Sequence, residues 1–153
     1  MNILNDFEVG AVAAEIGFAE WPKVAADGSA AAATAETAFG IIGPGPVTIA
    51  VGQFQYHPAA ALTADPTNNA TITVSKRTPA APGTAVPIAI GVTAASGANS
   101  TGSWTAWKAV ALTTQTGAGS FVSPGDAITV TITKGGSGVV VPQGVLVGYT
   151  TIN

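Results

Sequence analysis

The chain has 153 residues, a net charge of −3 and only 8% charged residues, against about 25% in an ordinary soluble domain. That length suits one domain with a real core. With no cysteine and a single histidine, a disulfide framework, a thiolate metal centre and a histidine-built zinc site are excluded. The body's cations, Lys76, Arg77, Lys108 and Lys134, are too few and too scattered for a nucleic-acid footprint, and no apolar run is long enough for a membrane-spanning helix. A surface this poor in charge is made of Thr, Ser, Ala and Gly, which suits packing against other protein. A homo-oligomer or larger assembly is therefore expected.

Charge is unevenly placed. Residues 1–40 carry Asp6, Glu8, Glu15, Glu20, Asp27 and Glu36 against Lys23 alone, a balance of −5, whereas residues 41–153 carry +2. Composition changes at the same point, so a boundary is expected near Gly40, with residues 1–40 an N-terminal arm and Ala-rich link and residues 41–153 a β-sandwich domain. Met1–Asp6 lacks a basic region, so no secretory signal is expected. The arm is apolar, with an acid every few residues. Gly10 and Gly17 weaken any helix in it, so at most one or two helical turns are expected. Disordered tails are poor in aromatics, and this one holds Phe7, Phe18 and Trp21. It reads as an arm that docks on a partner, with Phe7, Ile16, Phe18 and Trp21 as the contacts.

From Ile41 the pattern is β. Val47, Ile49 and Val51 alternate, and Gly52 shifts the phase so that Phe54 and Tyr56 continue it, which predicts a bulge there. Thr63–Asn69 is turn chemistry. Ala70, Ile72 and Val74 face one way and Thr71, Thr73 and Ser75 the other. A Pro- and Gly-rich loop over 78–84 leads to a strand carrying Val86, Ile88, Ile90 and Val92. A strand is predicted over 104–112. The turn Ser123-Pro124-Gly125-Asp126 launches Ile128, Val130 and Ile132 on one face and Thr129, Thr131 and Thr133 on the other, the strongest alternation in the chain. Turns at 135–138 and 142–144 then separate Val139–Val141 from a last strand over 145–152, so the C-terminal third reads as an antiparallel meander. Thr71–Lys76 echoes Thr129–Lys134, as two like strands in two sheets. About seven or eight short strands with turn signals between them predict an all-β, antiparallel, jelly-roll-like sandwich.

Few residues carry chemistry. His57-Pro58 reads as a strand rim, Asp65-Pro66 as a turn, Asp126 as the partner of a turn amide and Lys76-Arg77 as a solvated strand end. No phosphate-binding glycine motif stands between a strand and a helix. Catalytic residues, cofactors and metals are therefore not expected, and the reading is non-enzymatic. Trp104 and Trp107, three apart on a predicted strand, point to opposite faces. Trp104 shares its face with Val110 and Leu112 and reads as core. Trp107 then faces out, as a subunit-contact anchor or a sugar-stacking platform, with subunit contact favoured.

The run Asn69–Arg77, Trp104, Val122–Val130 and Thr133–Gly144 resembles small β-sandwich proteins of tailed-phage virions, the capsid decoration (cement) and head-fibre proteins. The resemblance implies an oligomer, commonly a trimer, on the outer surface of the capsid, made in the host cytoplasm. There it would bridge subunits of the major capsid protein and brace the shell, with no nucleic-acid or membrane partner. The alternative is a carbohydrate- or host-surface-binding sandwich, as in a head- or tail-fibre domain, with Trp107 and Tyr56 stacking on sugars.

Overall fold

The computed structural model describes residues 13–16, 34–41, 47–48, 54–117, 121–123, 125–136 and 139–152. Its strands are β1 (Ala13–Ile16), β2 (Thr34–Ile41), β3 (Val47–Thr48), β4 (Phe54–Pro58), β5 (Ala70–Thr78), β6 (Ala81–Val92), β7 (Val110–Ala111), β8 (Thr113–Thr114), β9 (Phe121–Val122), β10 (Ala127–Lys134) and β11 (Gly144–Ile152). They form two sheets. One runs β7-β4-β11-β3-β9, with β1 also paired to β11, and the other runs β2-β10-β5-β6-β8. The named strands pair antiparallel. The protein is an all-β antiparallel sandwich, in more strands than the seven or eight expected, because several of the described ones are two-residue pairings.

The core follows from period-2 alternation. Ile72 and Val74 of β5 and Ile128, Val130 and Ile132 of β10 are buried, while Thr71, Thr73, Thr131 and Thr133 stay half-buried on the opposite face. Phe54, Tyr56 and Leu146 of the first sheet join them in one cluster with Trp104, Leu112, Val122 and Val141. The two like segments lie side by side in one sheet rather than in two. Thr73 pairs with Thr131, Val74 with Val130, and Thr71 with Thr133. Matching alternation lets hydroxyl meet hydroxyl and aliphatic meet aliphatic across the ladder.

Further corrections concern partners and phase. β10 and β11 belong to different sheets, so the chain end is no meander, and Val139–Val141 forms no strand. The loop expected over 78–84 is a two-residue turn, because Thr78 already pairs with Ala81. In β6 the register shifts where Val74 meets Ala89 and Ser75 meets Pro87. Ile88 is thereby left without a partner as a bulge, and it is buried together with Ala89. Past the bulge Ile90 and Val92 turn to the outer face, half-buried, so the four aliphatics do not share one face. Lys76 sits opposite Ile128 on the core-facing register and is 9% exposed, so it is no solvated strand end.

The boundary expected near Gly40 falls inside β2, which pairs along β10 from Thr133↔Thr34 to Ala127↔Ile41. β1, ending at Ile16, pairs with β11. The segment read as an arm thus gives one strand to each sheet. Phe7, Phe18 and Trp21, and the bulge expected at Gly52, lie outside the described residues.

Candidate functional site

One end of the sandwich is built from three connections tied together by backbone bonds. Thr93 N–H donates to Ala70 O at 2.9 Å, Asp65 N–H to Thr93 O at 3.1 Å, and Gly135 N–H to Asn69 O at 2.8 Å. Asp65 organises its own turn. Its carboxylate accepts from Thr67 N–H at 2.8 Å and Asn68 N–H at 2.6 Å, and these bonds hold its pKa below the ordinary carboxylate value. Asp126 does the same at the turn before β10. It accepts from Ser123 N–H at 2.8 Å, Asp126 N–H donates to Ser123 O at 3.0 Å, and Gly125 takes φ +82°. That is the positive φ of a type II turn at its third position. Both acids therefore act on turns, as their sequence settings indicated.

The two tryptophans of 104–112 separate as core and surface, for a different reason from strand alternation. Trp104 pairs with Leu62 in an isolated bridge, with N–H···O distances of 2.8 and 3.1 Å in the two directions. Its ring is 2% exposed and lies 5.1 Å from that of Tyr56, tilted by 59°, within the range of favourable aromatic pairs. Its Nε1–H donates to Thr101 Oγ1 at 2.9 Å. Tyr56 O–H in turn donates to Pro142 O at 2.6 Å, so the pair bolts the core to two end loops. After Trp104 the chain leaves the ladder. Lys108 N–H bonds Thr105 O at 3.1 Å, closing a turn with Ala106 and Trp107 at its tip.

Trp107 is 66% exposed and has φ +59°, a left-handed conformation rarely taken by a bulky side chain. Its N–H is held by Pro58 O at 2.7 Å, and the next residue, Ala59, donates to Gln143 O at 2.6 Å. Strand patterning missed this turn because Thr105-Ala106-Trp107-Lys108 contains neither Gly nor Pro.

Two recesses flank this end. One of about 340 Å³ is lined by Ser100, Thr101, Ser103, Thr105 and Lys108 and by Ala109–Ala111. The other, about 370 Å³, is lined by Ala59, Ala60, Ala61, Val140, Val141 and Pro142, with Gln143 at its rim. Val140 is 49% exposed and, with Trp107, makes up the exposed large hydrophobic side chains among the described residues. His57 is half-buried on β4 opposite Val145. Among the described residues no three of His, Cys, Asp and Glu gather as metal ligands.

Fold and site together define an antiparallel β-sandwich with a bonded loop end that presents one exposed tryptophan on a hydrogen-bonded turn. No family model, curated protein or solved structure matches the chain.

Proposed function

We propose that the chain is a non-enzymatic structural protein of a tailed-phage virion. In this reading it decorates the outer capsid surface and stabilises the shell by bridging neighbouring major capsid protein subunits. One observation carries the reading furthest. The middle of the outer face of the β5–β10 pair is a run of hydroxyls, Thr71 opposite Thr133 and Thr73 opposite Thr131, continued by half-buried Ile90 and Val92 of β6, with Arg77 of β5 and Glu36 of β2 the charged residues in register with it. A free monomer usually keeps more charge on such a face, whereas β-branched and hydroxyl side chains pack closely against another protein surface. The resemblance of Asn69–Arg77, Trp104, Val122–Val130 and Thr133–Gly144 to decoration and head-fibre proteins supplies the partner and the trimer.

Self-association is assigned to this face rather than to Trp107. A single side chain at a turn tip buries at most about 250 Å², well short of the roughly 800 Å² per partner of a stable interface. Paired lysines test the assignment, because two adjacent charges on the ladder should block close packing while leaving the core intact. Thr73→Lys/Thr131→Lys should keep its β circular dichroism, run as a monomer in light scattering and fail to sediment with capsids. A folded double variant that still forms trimers and still decorates capsids removes this face from the reading.

A further inference from the structure

We infer that the Trp107 turn and the hydroxyl-lined recess at its base form a binding site for an acidic saccharide. The recess, about 340 Å³, falls at the lower end of the roughly 300–1,000 Å³ range of small-molecule sites. Its polar groups divide into spent and available. Ser100 Oγ donates to Ala94 O. Thr101 Oγ1 donates to Val92 O at 2.9 Å and accepts from Trp104 Nε1 at 2.9 Å. Ser103 Oγ accepts from Ala64 N–H at 2.9 Å, which leaves its own proton to donate. Thr105 and Lys108 are exposed, and Lys108 carries the recess's one charge, with no carboxylate in the lining. What the recess offers a ligand is thus O–H and ammonium donors, and a matching ligand is rich in acceptors and negatively charged.

The apolar half of the site is the indole. Thr105 and Lys108 stand at the base of the turn and Trp107 at its tip, with the backbone held by Pro58 O and Thr105 O. A bulky residue kept at φ +59° points from an observed backbone outlier to a role, because simple folding would favour Gly or Asn there. The bonds fix the backbone from which the ring projects, so less freedom is lost on binding. Trp107 does not itself line the recess, but it is the chain neighbour of Lys108, which does, so the ligand that uses both is an oligosaccharide, with a carboxylate-bearing pyranose in the recess and an adjoining ring on the indole. The site uses none of the Thr faces assigned to protein contacts, so this inference stands or falls separately from capsid decoration.

The test titrates full-length protein, without capsids, with sialyllactose and with oligogalacturonate, and follows tryptophan fluorescence and saturation-transfer NMR. Lactose, an uncharged glucan oligosaccharide and a single-stranded oligonucleotide are the comparison ligands. Saturable binding of an acidic saccharide, at least tenfold tighter than of the uncharged ones, is expected. Trp107→Ala should weaken it at least tenfold, and Lys108→Gln should erase the preference for the acidic ligand, both with unchanged melting temperature. No saccharide binding, equal binding by Trp107→Ala, no acidic preference in the native chain, or preferential binding of the oligonucleotide would each overturn the proposal.

Discussion

Tyr56 joins the core to the loop end through its bond to Pro142 O, and burial pushes its phenol well above the ordinary value of 10.0. The folded protein therefore keeps a proton that the unfolded chain releases. This contribution to stability is complete below about pH 10 and declines as pH rises further. Above pH 10 the melting temperature of the native chain should fall more steeply than that of Tyr56→Phe. At neutral pH the same variant strands the Pro142 carbonyl and should lose about 1–3 kcal/mol in urea unfolding. The tryptophans give a paired prediction. Trp104→Ala empties a core site and should cost about 3–5 kcal/mol. Trp107→Ala removes an exposed ring and should change stability by about 0.5 kcal/mol or less. Equal losses in thermal unfolding would contradict the separation into core and surface.

β4 and β11 meet closely because of Gly144. A Cβ there would come within 2.5 Å of both the Tyr56 ring and His57 O, so backbone and ring must move apart to admit one. Gly144→Ala should cost about 1–3 kcal/mol and weaken the bond from Tyr56 to Pro142, read as a parallel loss of stability and of near-ultraviolet tyrosine signal. At this scale the sequence was legible where the determinant is local. Alternation in β5 and β10 reports their buried faces, and Ser123, Gly125 and Asp126 report their turn, because neighbouring residues settle both. Strand partners were not legible, since two equal Thr ladders suit one sheet as well as two. The bulge at Ile88 was marked only by Pro87, which suits a sheet edge or a strand start as well as a bulge, and the phase of Ile90 and Val92 was missed with it. The turn at Trp107 was hidden because neither Gly nor Pro marks it, and with it the recess that gathers Ser103 and Lys108 beside it.

The whole molecule draws on both ends of its chain. The acidic first 40 residues looked separable because composition changes near Gly40, yet composition says nothing about pairing, and β1 and β2 each complete a sheet. The all-β class was readable from the alternating strands; the low charge, 8% of residues, is what motivates the proposal that the sandwich packs against other proteins. Capsid decoration is the central claim, and one measurement meets it directly. Capsids assembled without this protein are mixed with the purified full-length chain, pelleted, and heated. Saturable co-sedimentation, together with a higher temperature of capsid disruption, is the predicted result. Protein that stays in the supernatant at micromolar concentration, with an unchanged disruption temperature, would contradict the account.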